Sequence, residues 1–234
     1  MDNYENTMQY INEHETTDIS FVKVGNGNKK LIVSFATNGD PEEDFFQRKT
    51  TLLKLRYGKN NFDILFLRNQ QQWYLGGLNG IGKNINHTLA FFKKEFAKYD
   101  KVLCIGASAG GYASLLFGSL LNVDVVIAIN PQTDLQYCID NLGPHHDGSK
   151  NLIKRAKQCP TTWGKYNKLS NVLSNTVSFN VVLTDVDEDL KKRSDVELVL
   201  HGRYHYEQIK HLSNVHLVKN SNCILENFLS DDFK

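Results

Sequence analysis

One serine stands in a setting built for nucleophilic chemistry. In "KVLCIGASAGGYASLLFG" an apolar run ends in Gly106-Ala107-Ser108-Ala109-Gly110, and a helical pattern follows at once. Glycine near the start of a helix costs roughly 1 kcal/mol relative to alanine, so Gly110 and Gly111 need a reason. The G-x-S-x-G pattern supplies one: a serine on a sharp strand-to-helix turn has a strained backbone, and side chains two residues either side would collide. The same turn aims the Ala109 N–H and the positive end of the helix at any oxyanion formed beside Ser108. The competing reading is a glycine-rich turn with an incidental serine.

A serine hydroxyl is a weak nucleophile without a base and a carboxylate that orients it. On a corner of this kind the chain order is serine, acid, histidine. The acid is expected after the apolar run "FNVVLT", where Asp185 and Asp187 stand nearest the strand end of "DVDED"; a solvated acidic loop is the alternative. The histidine depends on register. If "VELVL" (196–200) is the last core strand, the loop "HGRYHYEQ" follows and His205 is the expected base, with His201 the lesser choice. If "NVHLV" (214–218) is the last strand, "NSNC" stands where the histidine belongs. The site is then inactive or takes its base from elsewhere.

Other residues gather around this corner. The loop "SFATNGD" makes the backbone N–H of Ala36 or Thr37 the candidate for a second oxyanion donor, with a plain connecting loop as the alternative. After the run "FDILFL", Arg68, Trp73 and Tyr74 are expected on the same rim, where aromatics beside amides would suit a sugar ring; as an alternative they anchor the loop in the core. His145, His146 and Asp147 lack the spacing of a metal site, and no metal is expected. "GASAGG" is not the dinucleotide fingerprint, and "GGLNGIGKN" fits no phosphate-binding loop.

The elements that must position these groups follow from hydropathy. Five continuous apolar runs, 31–35, 62–67, 102–105, 125–129 and 180–184, read as strands buried on both faces of a parallel sheet. Amphipathic stretches alternate with them: Leu89, Phe92 and Phe96 share one helix face, and Ala113, Leu116, Phe117 and Leu120 recur at helical spacing. The alternation predicts an α/β fold, a three-layer α/β/α sandwich with a mostly parallel sheet. "FVKVGNGNKK" predicts a hairpin adding an edge strand. Residues 132–178 interrupt the alternation with helix-compatible sequence, read as a cap over the sheet's carboxyl edge, with packing against the core as the alternative.

The 234 residues suit a single domain spanning 1–234, and a net charge of +1 gives no footprint for nucleic acid or an anionic membrane. The polar N-terminus reads as neither signal nor transit peptide, and no apolar stretch approaches the roughly 20 residues of a membrane span. Four scattered cysteines without a CxxC pair predict a reducing, cytoplasmic setting.

On "GASAGG", and from about Leu31 onward, the chain resembles the α/β-hydrolase superfamily. The wider pattern "WYLGG…KVLCIGASAGGYASLLFG…VVIAINPQTD" is similar to a compact bacterial branch that includes O-acetyltransferases of capsule and surface polysaccharides. That resemblance implies Ser108 as nucleophile, Asp185 or Asp187 as acid, and the "NPQT" loop with Gln132 at the substrate rim. It implies no tightly bound cofactor, acetyl-CoA as an acyl donor, and a carbohydrate hydroxyl as acceptor, with Lys83, Lys93, Lys94 or Arg68 available to the donor. The expected function is serine-dependent acyl transfer, either ester hydrolysis or O-acetylation. The alternative is an inactive binding or scaffold protein on the same fold.

Overall fold

A computed structural model describes residues 3–15, 20–37, 49–59, 61–68, 73–183 and 199–230. Its centre is a seven-stranded sheet: β1 (Phe21–Val24), β2 (Lys30–Phe35), β3 (Phe62–Leu67), β4 (Lys101–Ala107), β5 (Val125–Ile129), β6 (Ser178–Val182) and β7 (Val215–Val218). The spatial order is β1-β3-β2-β4-β5-β6-β7, with β1 antiparallel to β3 and every other neighbour parallel. The five apolar runs form strands for the reason their composition suggests. Alternate side chains enter two separate cores, so both faces must be apolar. Leu31, Val33 and Phe35 pack on one side of β2, and Ile32 packs on the other.

Helices cover both faces. On one side lie α1 (Tyr4–Glu15), α2 (Lys49–Lys59) and the last helix, Asn222–Leu229, which bury Ile11, Leu52, Leu53, Leu225 and Phe228. On the other lie α3 (Ile85–Phe96) and α4 (Ala109–Leu121), followed by α5 (Leu135–Leu142), α6 (Asp147–Gln158) and α7 (Pro160–Tyr166). Helix α4 is buried from Ala109 to Ser119, which explains why its sequence is apolar nearly all round rather than on one stripe. The segment 132–178 is helical, and Leu135, Leu152, Trp163 and Leu169 join the same core as the sheet.

Two expectations need correction. The turn after β1 does not close a hairpin: β1 pairs with β3, and β2 lies one strand further in. The last strand is Val215–Val218, and Val199 and Leu200 are helical, so "VELVL" is not a strand at its described end.

The topology sets the site. The parallel strands end in register, Phe35 beside Gly106 and Leu67, and Ile129 beside Ala107 and Val182. The chain runs from β2 outward to β3, then returns to β4 on the other side of β2. That reversal is a topological switch point, and in open α/β sheets ligands bind beyond the carboxyl ends of the strands at such a point. The carboxylate inside "FDILFL" belongs to the opposite edge. Asp63 is fully buried, accepting from Asn28 Nδ2 (2.7 Å) and Tyr99 Oη (3.0 Å), with Arg56 Nη1 at 3.6 Å.

Candidate active site

Ser108 sits at the corner between β4 and α4 with φ 53° and ψ −120°, a strained conformation for a residue with a side chain. The corner is held by the Ser108 N–H bonding Ile129 O (2.9 Å) and by Ser108 O accepting from the Tyr112 N–H (2.9 Å). Glycine is required on both sides. A Cβ on Gly106 would be driven into the carbonyl of Gly110, and one on Gly110 into the carbonyl of Phe35 at the end of β2. Strain at residue 108 and close approach at residues 106 and 110 are therefore one construction, which presents the hydroxyl beside the first N–H groups of α4.

Among the described residues two side chains meet that hydroxyl. His201 Nε2 lies 2.8 Å from Ser108 Oγ, and Gln132 Nε2 donates to the same oxygen at 3.1 Å. His201 ends a helical turn in the segment between β6 and β7, and Gln132 comes from the loop between β5 and α5. With the serine O–H donated to His201 Nε2, an Oγ lone pair receives the amide of Gln132. Gln132 is 1 % exposed, and its Oε1 has no partner among the described residues.

His205, the expected base, does not serve as one. It is fully buried; its Nδ1 accepts from the Thr133 N–H (3.0 Å) and its Nε2 donates to Val199 O (2.8 Å). Burial lowers its pKa to about 4, so the ring is neutral. The imidazole that meets Ser108 is that of His201, the lesser of the two sequence candidates. It is supplied from before the last strand, so the absence of a histidine near "NSNC" leaves the corner with an imidazole. Asp185 and Asp187 lie outside the described residues. Asp134, a buried carboxylate nearby, is otherwise engaged: Oδ1 caps α5 through the Tyr137 N–H, and Oδ2 meets Lys168 Nζ (3.1 Å) and Tyr204 Oη (3.3 Å).

The remaining candidates divide. Ala109 follows Ser108 as the first residue of α4, with its N–H at the helix's positive end. Ala36 is excluded as an oxyanion donor because its N–H already bonds Leu67 O (2.8 Å), which leaves Thr37 next along the same loop. Trp73 and Tyr74 are 3 % and 0 % exposed and do not offer faces to a substrate. Their residues hold φ 50° and 60°, and the Tyr74 hydroxyl lies 2.9 Å from Ala36 O and 3.2 Å from Leu67 O. The Trp73 ring meets Tyr112 of α4 edge-on. These aromatics brace the loop that carries Thr37. Arg68 is also buried, and its backbone N–H bonds Ser20 O. Lys93 and Lys94 occupy the last turn of α3, which leads into the start of β4 and so lies at the sheet edge opposite Ser108.

His146 caps α6 through its Nδ1, and among the described residues no group of three or more His, Cys, Asp or Glu side chains could hold a metal ion. The four cysteines are free, and among the described residues no helix is long and apolar enough to cross a membrane.

The sequence matches no family model and no curated protein. Solved structures do share the fold. The substrate-bound fluorophosphonate-binding serine hydrolase F of Staphylococcus aureus superposes with a TM-score of 0.57 at 11 % identity, over 89 % of this chain and 86 % of that one. Esterase B of Lactobacillus rhamnosis gives 0.53 at 12 % identity, over 97 % and 87 %. The glycosylation-associated protein complex (Gap123) of Streptococcus agalactiae gives 0.51 at 15 % identity; 88 % of this chain is covered, but it spans only 43 % of that one. The chain has the α/β-hydrolase fold.

Proposed function

We propose that this α/β-hydrolase-fold protein is a serine-dependent acyl-transfer enzyme acting through an ester on Ser108. The observation that carries the reading is the 2.8 Å approach of His201 Nε2 to Ser108 Oγ on a strained strand-to-helix corner. Ser108 Oγ attacks the acyl carbonyl while its proton passes to His201 Nε2. The tetrahedral oxyanion is received by the N–H groups of Ala109 and Thr37. Collapse expels the leaving group, which takes the proton from His201, and leaves the acyl group esterified to Ser108. A second hydroxyl compound, deprotonated by His201, then attacks the ester and frees the serine. Asp185 or Asp187 is the proposed acceptor for the His201 Nδ1–H.

Water as the second nucleophile makes the protein an esterase, and a sugar hydroxyl makes it an O-acyltransferase. The likeness of "GASAGG" and "NPQT" to surface-polysaccharide O-acetyltransferases, together with the shared fold of the glycosylation-associated protein, supports a carbohydrate acceptor and acetyl-CoA as donor. The test is intact-mass analysis of wild type and Ser108→Ala after treatment with a fluorophosphonate. An adduct on wild type alone is expected. Absence of an adduct on folded wild type would overturn the reading. Incubation with 4-nitrophenyl acetate or acetyl-CoA, with and without oligosaccharide acceptors, then separates hydrolysis from transfer.

A further inference from the structure

Both groups that bond the Ser108 hydroxyl arrive on loops distant in sequence. Gln132 is 24 residues from Ser108 and His201 is 93. A misplacement of about 1 Å in such a constellation costs on the order of a hundredfold in rate. Something must therefore hold the two loops to each other, as well as each to the sheet.

The structure places one side chain between them. His205 Nδ1 accepts the N–H of Thr133, the residue after Gln132, while His205 Nε2 donates to the carbonyl of Val199, two residues before His201. The Thr133 hydroxyl returns the contact by donating to the His205 carbonyl at 2.8 Å. The neighbouring pair repeats the link: the Tyr204 hydroxyl reaches Asp134 Oδ2, and the Tyr204 ring stacks on Tyr137 at 3.6 Å between centroids. Two consecutive residues of one loop are thereby bound to two consecutive residues of the other.

We propose that His205 is a positioning residue: its neutral, doubly bonded ring locks the Gln132–Thr133 loop to the Val199–His201 turn and so sets both groups on Ser108 Oγ. The proposal rests on Ser108 being the nucleophile. An imidazole suits the task because one rigid ring carries an acceptor and a donor on opposite sides. A cationic ring would turn an N–H against the Thr133 N–H. His205 is not half of a second nucleophile pair with Cys138, whose Sγ lies 3.8 Å from Nε2. That thiol is buried, and burial pushes it up to about 12.

The test compares His205→Leu, which keeps bulk and loses both bonds, with His205→Gln, which retains an acceptor and a donor. Each is first shown to be folded by thermal melting, then titrated with fluorophosphonate to count reactive molecules and measure the rate constant of each. Positioning predicts a rate constant per reactive molecule about a hundredfold lower in His205→Leu and largely recovered in His205→Gln. If His205→Leu lowers only the melting temperature and the fraction of reactive molecules, with the rate constant unchanged, the proposal is overturned.

If His205→Leu does not fold, His205→Met, a more pliable side chain that also lacks both ring bonds, takes its place and is expected to slow labelling. An unchanged rate there overturns the proposal as well. Nitrogen-15 NMR of the histidine rings gives a readout independent of activity. The His201 signals should move in His205→Leu and return towards wild type in His205→Gln; His201 signals untouched by either variant refute the link. An unreactive wild type whose His201 signals still respond would show that the acyl-transfer reading has failed while the link stands.

Discussion

His201 Nε2 and Ser108 Oγ are 2.8 Å apart, although 93 residues separate them in the chain. The two side chains are expected to act as a unit, the imidazole taking the hydroxyl proton as the oxygen attacks. Ser108→Ala and His201→Ala are each expected to lower ester turnover by about ten-thousandfold or more, and the double variant should fall no further than either single one. Turnover of 4-nitrophenyl acetate by the three purified variants measures this.

Gln132 is expected to separate activity from stability. Its Nε2 bonds the reacting oxygen, while its Oε1 is buried with no partner among the described residues. Gln132→Met removes both atoms and keeps the length of the side chain. Loss of the donor should slow labelling by about tenfold to a hundredfold, and loss of an unsatisfied buried carbonyl should leave the melting temperature unchanged or higher. A lowered melting temperature with unchanged labelling would refute this assignment.

The glycine corner makes a prediction about folding. Gly106→Ala sets a methyl group against the Gly110 carbonyl, and Gly110→Ala sets one against the Phe35 carbonyl; both obstacles are backbone. Each variant should lose about 1–3 kcal/mol, the usual cost of overpacking. Urea denaturation should show the midpoint falling at constant slope.

His205 should also leave a signature in the pH dependence of stability. Its ordinary pKa of 6.5 falls to about 4 in the folded protein, with burial and then the nearby His201 lowering it and the hydrogen bond to Val199 and Asp134 opposing them. Tyr137, Tyr204 and Cys138 complete its surroundings. Between pH 4 and 6.5 the unfolded chain binds the extra proton, so stability falls as pH drops through that window and this loss is complete below it. The change is on the order of 3 kcal/mol for a shift of this size. Denaturation at several pH values should show it in wild type and lack it in His205→Gln.

The serine corner was legible in the sequence because its constraints are local. A strand, a helix and steric exclusion within two residues of Ser108 all lie in one short stretch, and the glycines mark it. The parallel strands were legible for a related reason: burial on both faces demands an unbroken apolar run. The partner of β1 was not, since a turn with the right residues does not dictate whether the next strand pairs beside it or one place further in. Nor could composition tell that Trp73 and Tyr74 brace a loop instead of facing a ligand. The histidine beside Ser108 shows the limit most clearly. His201 and His205 stand four apart, a spacing that would set both on one face of a continuous helix. Gly202, extended at φ −70° and ψ 172°, interrupts the helical path between them. Ahead of it His201 meets Ser108; beyond it a short helix, Arg203–Glu207, buries His205 against Thr133. Which imidazole reaches the serine is decided by packing against the loop after β5, and only the tertiary structure brings that loop and the Val199–His201 turn together.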